Sequence, residues 1–191
     1  MSANRRKSHG SFDGRIAALN KNLRKGQDHG LPISQFRASC NKSDLLRYAH
    51  KLNELPEARM YAMGIPFPQT LRDLKFRQKQ WTLDFDSELL WSACQVRVFV
   101  KQVNEFLEIE KRVEMSCLCG DYTITRSILD ELRQKFGYSL WYLETLTGVL
   151  ELTEGFESQK IFAQEIYLDT KLSDELRLIA YYFSLRAEKS V

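Results

Sequence analysis

The sequence predicts an all-α protein: antiparallel helical hairpins of repeat or bundle type, with one long helix and a basic, partly flexible N-terminal region. Three observations lead there. Apolar residues recur at spacings of three and four along most of the chain, and no comparable stretch alternates with the period of two that a half-buried strand requires. Only 4 prolines and 9 glycines occur among 191 residues, and no proline follows Pro68, so long helices are favoured behind it. A hydrophobic fraction of 43% with 12% aromatics is enough to fill a core.

The elements follow in order. Residues 1–42 read as a basic arm carrying a short amphipathic helix, with Phe12, Ile16, Leu19 and Leu23 on one face and Gly26 as its stop. Residues 26–42 read as a loop. Residues 43–83 form a basic helical segment with a proline-rich hinge. Ser43 is its expected N-cap, because a serine hydroxyl accepts from an otherwise unpaired amide. Leu45, Tyr48, Ala49 and Leu52 supply the apolar face, and a short helical turn spans 57–63. Gly64-Ile65-Pro66-Phe67-Pro68 stops it, since each proline lacks a donor and pushes its predecessor into extended backbone. A further helix is expected over 70–81.

Residues 84–191 read as an acidic, helical-repeat-like domain. Leu89, Ala93, Val96, Val100, Val103 and Leu107 keep a 4-3-4-3-4 rhythm, with Phe99, Phe106, Ile109 and Val113 as a second stripe. An unbroken helix over 86–118 would span about 50 Å and touch more than one neighbour. Ile124, Ile128, Leu132 and Phe136 make the next face, closed by Gly137. Ser139 then starts a helix bearing Leu140, Leu143, Leu146 and Leu150. Ile161, Phe162 and Ile166 mark a fourth helix, and Leu172, Leu176, Ile179 and Phe183 a fifth.

Charge is segregated along the chain. Residues 1–80 hold 16 Lys and Arg against 6 Asp and Glu, whereas residues 81–191 hold 12 against 19, beneath a net charge of +3. Such a split provides two binding surfaces, or a front that docks on its own acidic back. No apolar run reaches the roughly 18 residues of a membrane span, and no secretory signal follows the basic start. The 4 cysteines lack zinc-ligand spacing and read as buried thiols of a reducing cytoplasm.

Enzymatic chemistry finds little support. Histidine occurs only at His9, His29 and His50, so the serines of residues 81–191 have no imidazole nearby in sequence to activate them. Glu105, Glu108, Glu110 and Glu114 lack the Glu-x-x-His partners of a carboxylate metal site and read as a solvated face. No phosphate loop or nucleophile elbow occurs. The expectation is a non-enzymatic chain with no catalytic residue, no cofactor and no metal.

Binding fits better. Arg5, Arg6 and Lys7 with Arg15, Arg24 and Lys25 form one cationic surface. Arg72, Lys75, Arg77, Lys79 and Trp81 form another, in which cations interleave with aromatics as in nucleic-acid contacts. Leu71, Leu74, Phe76 and Trp81 equally suit a core beneath solvated charges. Glu110 and Glu114, with Tyr122 and Trp141, are candidate protein-interface residues. The first expectation is an adaptor that binds another protein, compatible with oligomerisation. The alternative is a nucleic-acid-binding protein using the basic front.

Gly120-Asp121-Tyr122, followed by Leu129 and Leu132, resembles the tetratricopeptide repeat over about residues 105–170, and Gly155 recurs 35 residues after Gly120. In that family the glycine makes the turn within a repeat and the aromatic packs between paired helices, which implies a scaffold binding proteins or peptides in a groove. Here Thr125 stands at a small-residue position, Arg112-Val113 replaces the family's Leu and Gly, and Phe156-Glu157 replaces Asp-Tyr. The alternative reading is an irregular helical bundle in which the glycine spacing is coincidental. Arg24-x₄-His29 is similar to the Arg/His element of a family of helical ribonucleases, although Gly26 and Gly30 bracket a loop where those enzymes start a helix.

Overall fold

The computed structural model describes residues 14, 16–18, 21, 30–74 and 84–188. It is all-helical, with no strand among the described residues. The chain divides into two compact units: Met1–Gly64 with Gln80–Phe99, and Ile65–Lys79 with Val100–Val191. This division cuts across the three segments suggested by composition, at Gly64 and again at Phe99.

Unit 1 contains α1 (Gly30–Ser39), α2 (Lys42–Asn53), α3 (Pro56–Ala62) and α4 (Phe85–Val98). Leu45, Tyr48, Ala49 and Leu52 of α2 are buried, as their spacing requires, and meet Ile33 and Phe36 of α1, Ala58 of α3, and Trp91 and Cys94 of α4. Ile16 also packs against this core, which draws part of the arm into unit 1. Helix α1 corrects the expected loop. Pro32 lies in its first turn, where an amide hydrogen is unpaired anyway, so the proline does not oppose the helix. Ser43 is not the cap of α2. The helix begins at Lys42, two residues earlier than that cap implies, after Asn41, which has extended backbone and makes no side-chain capping bond. Helix α4 is capped by Asp84, which accepts from the Ser87 amide at 3.0 Å. Gln95 fastens it to α3 by donating to the Ala62 carbonyl at 2.6 Å.

The centre of unit 1 is aromatic and charged. Tyr48 stacks on Phe36 at 4.1 Å between centroids and tilts against Trp91 at 5.6 Å. Its hydroxyl is buried with no hydrogen-bond partner. Burial first, then the nearby Cys40, pushes its pKa far above that of an ordinary phenol, against a smaller opposing pull from Arg37. The folded chain therefore keeps a proton that the unfolded chain releases near pH 10. The resulting stability is fully present below about pH 10 and declines above it. Tyr48→Phe is expected to flatten that alkaline decline and, by deleting an unsatisfied hydroxyl, to add about 1 kcal/mol at neutral pH. Urea titrations at pH 7 and at alkaline pH measure both effects.

The expected unbroken helix over 86–118 is two helices. Phe99 leaves helical geometry (φ −109°, ψ 21°) and caps α4. The heptad seam is largely not the buried face: Leu89, Val96, Val100 and Leu107 are 58%, 57%, 50% and 42% exposed. Glu88, Trp91 and Cys94 turn inward on α4 instead, and Ile109, Val113 and Ser116 do so on α5. A carboxylate at a core position disguised the inner face of α4.

Unit 2 comprises the segment beginning at Ile65, with a 3₁₀ turn at Leu71–Asp73, and five helices: α5 (Val100–Leu118), α6 (Tyr122–Phe136), α7 (Leu140–Glu154), α8 (Phe156–Leu168) and α9 (Asp174–Glu188). The part of the expected 70–81 helix that is described is this 3₁₀ turn; the rest lies outside the described residues. Successive helices pack pairwise, and α9 also reaches α7. Asp121 and Ser139 cap α6 and α7 by accepting from Ile124 and Tyr142 amides at 3.1 and 3.0 Å. Ile128, Leu129, Leu132, Phe136, Leu143, Leu146, Leu150, Leu172 and Leu176 share one core. Thr125, fully buried, ties α6 to α5 through Ser116 Oγ at 2.8 Å.

Candidate functional site

The basic residues singled out from the sequence are almost all beyond what is described. Arg5, Arg6, Lys7, Arg15, Arg24, Lys25, Lys75, Arg77, Lys79 and Trp81 lie outside the described residues, as do His9 and His29. Arg72 is exposed on the 3₁₀ turn and His50 is exposed on α2. Among the cysteines, Cys94 is buried and its thiol is pushed up by burial, but Cys119 is exposed, which corrects the expectation of uniformly buried thiols.

Two of the four carboxylates of α5 stand in ion pairs. Glu105 pairs with Lys135 at 3.2 Å and Glu108 with Lys111 at 2.9 Å. Arg112 of the same helix bridges to Glu131 at 3.2 Å. Among the described residues no group of three His, Cys, Asp or Glu side chains is placed to hold a metal ion. Glu110 is half-buried and Glu114 exposed on α5, Tyr122 half-buried at the start of α6, and Trp141 half-buried at the start of α7. Of these four, Trp141 joins an aromatic group, with its ring edge-on to Phe106 at 5.4 Å.

Two features of unit 2 stand out from solvated helix surface. The first is a tyrosine-rich stripe on α8 and α9. Leu178, Tyr181 and Tyr182 are 60%, 48% and 56% exposed and follow helical i, i+3, i+4 spacing. Tyr167 of α8 meets Tyr181 at 5.4 Å between centroids, and Arg177 both covers the Tyr167 ring and donates Nε to its carbonyl at 2.6 Å. Packing thus holds these tyrosines in place while a substantial part of each remains exposed. The i, i+3, i+4 pattern was present in the sequence beside the buried stripe of α9.

The second is an open cleft of about 150 Å³ beside the Pro66–Pro68 segment. Phe67, Val103, Phe106, Phe136 and Tyr138 line it, with Gln102 and Ser139 as the polar side chains. Phe106 meets Phe136 edge-on at 5.8 Å and Phe67 tilts on Phe136 at 5.9 Å. The Tyr138 amide donates to the Pro68 carbonyl at 2.7 Å, which pins the proline segment across the α6–α7 connection. Sequence reasoning took Pro66–Pro68 as a hinge and missed the cleft, because its walls come from three separated stretches.

Comparison with protein-family models, curated proteins and solved structures finds no match to this chain. No described helix is long and apolar enough to cross a membrane.

Proposed function

We propose that the chain is a non-enzymatic helical scaffold that recognises another protein through unit 2. The observation that carries this reading is the exposed stripe of Leu178, Tyr181 and Tyr182, held against Tyr167. Tyrosine offers a large apolar face at low entropic cost together with a hydroxyl for a polar rim, which is why it is enriched at protein interfaces. A contiguous apolar strip left in water is a cost that a partner relieves. The tetratricopeptide-like reading belongs to the same proposal: Gly120 and Gly155 each sit between two helices of unit 2 with positive φ, as hairpin turns of a stacked scaffold do. Free thiols, one of them exposed, support a reducing compartment such as the cytoplasm as part of this reading.

The test is affinity capture from nuclease-treated lysate with the full chain and with a Leu178→Asp/Tyr182→Ser variant. Both substituted positions are more than half exposed, so helical content should be unchanged. A specific protein recovered by the natural chain and lost at least tenfold with the variant supports the reading. Equal recovery by both chains overturns it. Recovery of nucleic acid alone from untreated lysate favours the basic front instead.

A further inference from the structure

The cleft beside Pro66–Pro68 has a chemistry that the exposed stripe does not. Its volume of about 150 Å³ is that of an apolar cavity able to hold a benzene-sized ring. Water gains little against these walls, because it needs polar partners that they barely offer. The lining is almost wholly carbon, and the Ser139 hydroxyl oxygen already accepts from the Tyr142 amide. The aromatic walls favour a ring over a branched alkyl group. Phe106 and Phe136 already stand edge-to-face with each other, and a third ring can extend that arrangement with its positive edge against their faces. The cleft opens to solvent on one side, so a group can enter while attached to a backbone outside. Gln102 stands among the lining residues with an amide that makes no hydrogen bond among the described residues, leaving both a donor and an acceptor for an inserted peptide.

We propose that this cleft receives one aromatic side chain, phenylalanine or tryptophan, presented by a partner protein, with Gln102 bonding the adjacent peptide group. The proposal rests on the reading of the chain as a recognition scaffold and adds the chemical identity of one anchor. A single buried ring among well-packed aromatic walls is the usual form of an interface hot spot. Rigidity suits the role: Tyr138 is bonded to Pro68, and Trp141 packs behind Phe106, so the walls are set before the ring arrives.

Methyl NMR on the full chain tests this, with the Val103 methyls as the site probe and those of buried Val149 as the remote control. N-acetyl-tryptophanamide and N-acetyl-phenylalaninamide should shift Val103 saturably at high-micromolar to millimolar concentration and leave Val149 in place. N-acetyl-leucinamide should bind at least fivefold more weakly. Val103→Phe, which fills the cleft, should abolish the saturable shift, then read at the aromatic-ring resonances of Phe106 and Tyr138. Should Val103→Phe not fold, Gln102→Ala replaces it and should weaken the capped amides but not free indole. No saturable shift, equal binding of leucinamide, unchanged affinity in the variant used, or binding of free indole with exclusion of the capped amides would each overturn the proposal. Ring binding is measured without any partner, so a failed lysate capture and a failed cleft are separate results.

Discussion

Gly137→Ala is expected to lower the stability of unit 2 by about 3 to 5 kcal/mol. Gly137 adopts φ 74° and ψ −153°, a region that side chains with a Cβ rarely enter. Backbone strain there contributes about 1–3 kcal/mol. A second cost is steric: a Cβ at this position would collide with the Pro68 carbonyl, the same group that accepts the Tyr138 amide at 2.7 Å. The proline segment must then retreat or the hydrogen bond must break, and Phe67 loses its seat on Phe136 in either case. Gly155 is the control. It has φ 87° and ψ 174°, but nothing lies within 4 Å of its virtual Cβ. Gly155→Ala should therefore show the strain alone, about 1–3 kcal/mol. Urea midpoints for the two variants measure the difference. Equal losses would mean that the proline segment does not press on the α6–α7 connection.

The helices of unit 2 after α5 were legible because each carries its own signal in consecutive residues. Ile128, Leu132 and Phe136 repeat every four residues, Ser139 announces the next start, and Gly137 marks the stop between them. What escaped the sequence depends on residues far apart in the chain. The cleft needs Phe67, Phe106 and Tyr138 together, and no local pattern joins positions separated by tens of residues. Residues 26–42 read as a loop between Gly26 and Gly30 and beyond, yet Gly30 opens a helix, and a proline at position 32, in its first turn, breaks nothing. Between residues 86 and 113 two apolar stripes were visible, and periodicity alone does not say which one faces the core. The answer turned on Glu88, whose carboxylate occupies a core position that hydrophobicity assigns to solvent.

Glu88→Ala is expected to destabilise unit 1 by about 3–5 kcal/mol. Glu88 is fully buried and Arg37 nearly so, with Arg37 Nη2 standing 2.8 Å from Glu88 Oε2. The two charges join α1 to α4, and the guanidinium also lies over the Trp91 ring at 4.8 Å. That N–H is not aligned on the carboxylate oxygen, so this contact is chiefly Coulombic, and Arg37 Nε is buried with no acceptor. Removing the carboxylate leaves a cation in an apolar interior. The ring face returns at most about 2 kcal/mol, so α1 should detach to hydrate the guanidinium. The double variant Arg37→Met/Glu88→Leu deletes both charges at similar volume and should recover most of the loss, since apolar replacement of a buried pair is often neutral or better. Trp91 fluorescence, read in a Trp81→Phe/Trp141→Phe background, follows the unfolding of unit 1 by urea. A single variant as stable as the parent would show that α1 leaves Arg37 in water. A double variant no better than the single would assign the loss to packing at residue 88 rather than to the stranded charge.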